Sequence, residues 1–128
     1  MIDHVSIAVS DLAASAAFYE AVFAPLGLTR LVDRPHTVGF GKRYPEFWLN
    51  VRPGLVAAGG DTGMHVCLRA RTTAAVAAFH AAALAGGGTD AGAPGMRDAS
   101  MAPYFAAFIR DPDGNKIEAA TFLSAETG

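Results

Sequence analysis

The feature that most narrows the folds open to this 128-residue chain is an internal repeat. An offset of 61 residues, without gaps, takes His4 to His65, Phe18 to Phe79 and Gly27 to Gly88. Each half opens on an alternating segment. Val5, Ile7 and Val9 share one face and His4, Ser6 and Ala8 the other; Val66 and Leu68 oppose His65, Cys67 and Arg69 in the same way. Helical spacing follows, with Ser10-Asp11 and Thr72 or Thr73 as N-caps. Pro25 and Gly27 stop the first helix, and Gly86-Gly87-Gly88 the second. Short strands come next, at 28–32, 37–40 and 47–52 in the first half. Strand, helix and three strands therefore occur twice. The pattern predicts an α+β chain of two tandem βαβββ modules, about residues 1–54 and 64–123, with a small-residue linker at about 55–63. Two copies are too few for a solenoid.

Composition removes several function classes. A hydrophobic fraction of 52%, with eight Phe and one Trp, supplies one core for one domain. A net charge of −2 without a basic run speaks against a nucleic-acid surface. One cysteine rules out an internal disulfide and suits a reducing compartment. The chain start lacks the basic and apolar regions of a signal peptide, and the Ala-rich run at 74–85 is too short for a bilayer and carries His80. A cytoplasmic domain with no membrane partner is expected.

The chemistry concentrates near the end of the second module. Tyr104 to Arg110 reads as a strand, Asp111-Pro112-Asp113-Gly114-Asn115 as a turn, and Lys116 onward as the returning strand. Ile117 and Glu118 then point to opposite faces. Glu118 is an acid placed mid-strand among apolar residues, where a carboxylate needs water, a base or a metal. If the branched faces of the two opening strands pack under their helices, His4 and His65 lie on the helix-free side. With Ile117 also under a helix, Glu118 joins them. Two sheets set together would form an open cup, and two imidazoles with one carboxylate are the ligand set of a facial triad.

The segments Ile2-Asp3-His4-Val5-Ser6-Ile7-Ala8-Val9, Gly63-Met64-His65-Val66 and Asp111-Pro112-Asp113-Gly114-Asn115-Lys116-Ile117-Glu118 resemble the vicinal oxygen chelate superfamily. Its members include glyoxalases, extradiol dioxygenases, fosfomycin-resistance thiol transferases, methylmalonyl-CoA epimerases and metal-free bleomycin-binding proteins. The resemblance covers nearly the whole chain and is specific for the superfamily, not for one reaction. It implies an open, cup-shaped mixed sheet and a homodimer whose sites each take half of their ligands from either chain. It implies one divalent ion per site (Zn, Ni, Mn or Fe) on His4, His65 and Glu118, and a small substrate that chelates through adjacent oxygens. Glyoxalases and epimerases of the family carry a further Glu or Gln on the last strand of the first module. Here Glu46, Trp48 and Asn50 share that face. Glu46 would complete a four-ligand, glyoxalase-type site; Trp48 at the equivalent place would leave three ligands, closer to the dioxygenase and fosfomycin-resistance pattern. The three-ligand site is preferred.

Further candidates follow from chemistry and parity. Glu118 or Glu46 would shuttle a proton, and Tyr104 would act as general acid or hydrogen-bond donor. Trp48 and Phe108 would wall an apolar substrate, and Arg69, sharing parity with His65, would clamp an anion. Plainer readings stand beside these: packing accounts for Tyr104, Trp48 and Phe108, and strand-end solvation for Arg52, Arg69 and Arg110. Glu118 paired with Lys116 is the plain reading of the acid. Cys67 has no neighbouring base in sequence, which argues against a nucleophilic thiol. His36 and His80 are expected to be structural or at the surface. Residues 91–103, rich in Gly and Pro and carrying Asp98, Ser100 and Met101, are expected to form a long irregular connection beside the site. The functional expectation is a metal-dependent lyase, isomerase or dioxygenase. Its rival is a metal-free protein that sequesters a small molecule on the same scaffold, and the plainest outcome is a retained fold without catalysis.

Overall fold

The computed structural model describes residues 1–57, 59–98 and 102–122. The first module is β1 (Val5–Val9), α1 (Leu12–Phe23), a 3-10 turn (Ala24–Leu26), β2 (Thr29–Asp33), β3 (Thr37–Gly41) and β4 (Phe47–Val51). The second is β5 (Val66–Arg69), α2 (Thr73–Ala85), β6 (Thr89–Arg97), β7 (Tyr104–Arg110) and β8 (Lys116–Phe122). Two four-stranded sheets result, ordered β1-β4-β3-β2 and β5-β8-β7-β6, each with one parallel pair and otherwise antiparallel pairs. The duplicated α+β architecture expected from the repeat is therefore present, with the same strand order in both copies.

The helices start where capping chemistry allows. The Asp11 carboxylate accepts from the Ala14 N–H at 3.1 Å, and the Thr72 hydroxyl from the Ala75 N–H at 3.1 Å. Gly27, at φ 78°, reverses the chain after the 3-10 turn in a conformation that a side chain would strain. One face of each sheet is covered. Ile7, Val9, Phe47 and Leu49 of the first sheet and Ile109, Ile117 and Ala119 of the second share one hydrophobic cluster with Tyr19, Phe23, Val76 and Phe79 of the helices. Tyr19, Phe23, Phe40 and Phe47 interlock with ring centroids 4.9–5.4 Å apart. The alternate residues face away from the helices, and these make the open side. No helix among the described residues is long and apolar enough to cross a membrane.

Residues 91–103 differ from expectation. Most of the segment belongs to β6, which pairs with β7 from Thr89↔Arg110 to Arg97↔Tyr104. The register shifts between Asp90 and Gly92 and again between Gly92 and Gly95. Such irregularities take up Pro94, which has no N–H for the ladder, and break the alternation by which a strand is recognised. Ser100 and Met101 lie outside the described residues.

The turn at 111–115 does more than close a hairpin. The Asp111 carboxylate accepts from the N–H groups of Asp113 and Asn115, from the Asn115 side chain, and from the Tyr19 hydroxyl at 2.6 Å. The Asn115 side chain also donates to the Ala8 carbonyl at 2.9 Å, and the Ser10 N–H donates to Asp113 at 3.1 Å. The last hairpin of module two is thus tied to β1 and α1 of module one. Burial, and then the neighbouring Asp111 carboxylate, push the Tyr19 phenol well above its ordinary value. An unfolded chain releases that proton near pH 10 whereas the folded chain keeps it, so stability falls as pH climbs past about 10. Tyr19→Phe is expected to flatten this loss, seen as a smaller drop in urea midpoint between pH 8 and pH 10.5 than in the parent protein. An equal drop would show that Tyr19 contributes nothing to it.

Candidate functional site

The open face of the second sheet is built by register. Cys67 lies beside Glu118 on the parallel β5–β8 pair, and Glu118 opposes Phe108 on β7. His65, just before β5, donates from Nε2 to Glu118 Oε1 at 2.9 Å. Glu118 is 3% exposed, and its Oε2 is buried with no hydrogen-bond partner of good geometry among the described residues, although the Cys67 thiol and the Tyr104 hydroxyl approach the carboxylate. A carboxylate left half satisfied there costs about 1–3 kcal/mol, which core packing does not require. Lys116 is not its partner: the ammonium lies over the Phe108 ring, 5.1 Å from the centroid.

Aromatic and cationic side chains surround this pair. The His65 and Phe108 rings are 5.6 Å apart and Tyr104 packs on Phe122 at 5.5 Å. Arg69 stacks on Phe122 at 4.7 Å and Arg97 on Phe108 at 5.5 Å. Partial burial, followed by the Glu118 carboxylate, raises the Tyr104 phenol above its usual range, so it stays protonated at neutral pH. Cys67 is exposed as a residue, yet desolvation around its sulfur and the charge of Glu118 push the thiol up to about 12. A thiol so held is a poor nucleophile. The expectation of an unreactive Cys67 stands, for a different reason: the neighbouring acid is absent from local sequence and arrives through β8.

His4 belongs to the other sheet. It is exposed, and its Nδ1 donates to Asp3 at 2.7 Å, while the Tyr44 hydroxyl donates to the other Asp3 oxygen at 3.0 Å. His4, Tyr44, Glu46, His65 and Cys67 line one recess of about 500 Å³. No three His, Cys, Asp or Glu side chains among the described residues stand close enough together to hold one metal ion. The structure therefore joins His65 to Glu118 and places His4 and Glu46 across the recess.

The two modules can be compared by register. Ser6 lies beside Trp48 on β1–β4, as Cys67 lies beside Glu118 on β5–β8. Trp48 thus holds the position in module one that Glu118 holds in module two, and its ring packs close over Gly39. Glu46 is two residues earlier and exposed at the mouth of β4. His36 is exposed; His80 is nearly buried on α2 and bonds Asp90 at 2.9 Å, tying helix to sheet away from the site. Sequence reasoning missed Arg97. Its parity with Tyr104 would have been visible had β6 been recognised, because the two residues are register partners.

A doubled βαβββ scaffold with a buried acid and a histidine on its open face defines a class, and comparison with known proteins agrees with it. The model of the Glyoxalase/Bleomycin resistance protein/Dioxygenase superfamily matches residues 1–119, and the chain belongs to this family. A glyoxalase/bleomycin resistance protein from Albidiferax ferrireducens T118 is 31% identical, with 93% of this chain and 97% of that one covered and a TM-score of 0.78. The fold is shared with the fosfomycin resistance protein FosX of Listeria monocytogenes (15% identity, 98% and 96% covered, TM-score 0.69). It is shared too with a lactoylglutathione lyase of Agrobacterium tumefaciens (23% identity, 94% and 92% covered, TM-score 0.64). No curated protein matches the chain.

Proposed function

We propose that this protein is a divalent-metal-dependent enzyme that acts on a small substrate with adjacent oxygens, working as a cytoplasmic homodimer. The observation that carries the reading is Glu118: buried, bonded to His65 through one oxygen and, among the described residues, without a well-formed hydrogen bond at the other. His65 and Glu118 would form one half of the ligand set, and His4 of a second copy the other half. The donor atoms suit this role. One imidazole nitrogen and one carboxylate, adjacent on the open face, are a donor set that a divalent transition metal would take. The bound ion would supply Lewis-acid polarisation of the chelating oxygens.

The remaining roles belong to the chain's own side chains. The protonated Tyr104 phenol would donate a hydrogen bond, or a proton, to negative charge developing beside Glu118. Phe108 would wall the substrate from below, and Trp48, if the modules of two chains face each other, would wall it from above. With Trp48 rather than an acid at the position matching Glu118, ring-opening oxygenation or addition to an epoxide is favoured over glyoxalase-type isomerisation.

Metal content of purified protein tests this directly. About one Zn, Ni, Mn or Fe per chain is expected, lost in His65→Ala and in His4→Ala but kept in Glu46→Gln. Loss in Glu46→Gln would make the site four-liganded and return the reaction to the glyoxalase type; metal-free protein would remove the catalytic reading. A second reading, a metal-free module that sequesters an apolar ligand, is supported by the engagement of His4 with Asp3 and by the aromatic face of the second sheet. Protein without metal that binds aromatic ligands would favour it. Catechols, methylglyoxal–thiol adducts and epoxides are the substrates to screen.

A further inference from the structure

Register places four cations, Arg69, Arg97, Arg110 and Lys116, on the open face of the second sheet, and three of them, Arg69, Arg97 and Lys116, lie over aromatic rings, while Glu118 on the same face is already engaged by His65. None of the three forms an ion pair among the described residues. Arg97 differs from the other two in how firmly it is held. Its side chain turns back along β6, so that Nη2 donates to the Ala93 carbonyl at 2.6 Å and to the Ala106 carbonyl at 3.4 Å. The guanidinium lies over Phe108, the ring that opposes Glu118. The space it occupies depends on a missing side chain. A Cβ on Gly92 would stand 3.3 Å from Arg97 Nη2 and 2.9 Å from the Phe108 ring. The Nε is buried without an acceptor, and Nη1 makes no protein hydrogen bond among the described residues.

A half-buried guanidinium held in place through Nη2, with Nη1 left over, is a site for an anion. We infer that Arg97, laid across Phe108, is the clamp for the carboxylate of a small, apolar-bodied substrate whose reacting end lies at His65 and Glu118. This names the substrate class of the site proposed above and rests on that reading for the reacting end alone. Lys116, over the same ring at 5.1 Å from its centroid, adds positive charge. The aromatic side chains of this face take the apolar body, so charge and shape are read side by side.

Calorimetric titration with benzoate, benzamide and inorganic phosphate tests the clamp, on both EDTA-treated and metal-loaded protein. Benzoate is expected to bind about ten-fold or more tightly than its neutral isostere benzamide, the discrimination that one charge-assisted pair supplies. Arg97→Gln should erase the gap, Arg97→Lys should keep part of it, and Arg71→Gln, on an exposed residue, should leave it unchanged. Thermal melts of each variant identify any that fails to fold. Equal binding of benzoate and benzamide, absence of benzoate binding, or a gap that survives Arg97→Gln overturns the proposal. Phosphate binding as tightly as benzoate overturns the carboxylate-plus-apolar class. The two readings fail separately: protein that holds no metal yet shows an Arg97-dependent gap removes the metal enzyme and keeps the clamp.

Discussion

Glu118→Gln is expected to abolish metal binding while leaving the fold standing. Glutamine matches glutamate in shape and keeps an oxygen for the His65 Nε2–H, so that 2.9 Å contact survives. What disappears is the negative charge and the second carboxylate oxygen, which in the parent chain sits buried with no well-formed hydrogen bond among the described residues. Removing a group that merely supports a metal ligand costs 10–100-fold in affinity, and removing a ligand itself should exceed roughly 100-fold. Stability of the metal-free protein should change by no more than about 1 kcal/mol, because a half-satisfied buried carboxylate is replaced by a half-satisfied amide. Metal content after reconstitution, together with urea unfolding in EDTA, measures both quantities. A variant that reloads to the parental stoichiometry would show that Glu118 is a structural acid. A variant that cannot fold without metal would show that the acid is needed by the core.

The second large effect should come from Asp111→Ala, at a residue distant from any chemistry. That carboxylate accepts four hydrogen bonds, one of them from a phenol 92 positions away in sequence. Alanine would leave the Tyr19 hydroxyl buried without an acceptor, and would free the side chain of Asn115, which reaches across to Ala8. Unpaired buried donors cost about 1–3 kcal/mol each, so a loss of about 3 kcal/mol or more is expected. For a chain of this length that lowers the melting temperature by roughly 10 °C. Asp111→Asn, which keeps an acceptor oxygen, should lose less. The carboxylate is not without its own cost: burial raises its pKa above the ordinary value, ahead of the bonds that lower it. If Asp111→Ala melts within 2–3 °C of the parent, the link between modules contributes little.

Comparison of these two residues shows what kind of information each part of the structure needed. Asp111 was legible only as a turn residue, because its local bonds to Asp113 and Asn115 follow from Asx-turn chemistry. Its bond to Tyr19 depends on where α1 lies, and no local pattern gives that. Glu118 was legible as an anomaly, an acid where alternation called for a half-buried strand. That it would meet His65, and not Lys116, was decided by the parallel pairing of β5 with β8.

The sequence by itself determined the doubled βαβββ plan, the helix caps at Asp11 and Thr72, the hairpin at 111–115 and the parity that puts His65 and Glu118 on one face. These are consequences of side-chain spacing and turn chemistry, which act within a few residues. Tertiary structure alone decided the rest: the strand hidden in 89–97 by its bulges and Pro94, the equivalence of Trp48 with Glu118, the return of Arg97 over Phe108, and the tie from Tyr19 to Asp111. Each depends on which strand lies beside which and in what register. Register is set by pairing over long separations, where a shift of one residue exchanges the two faces of a strand.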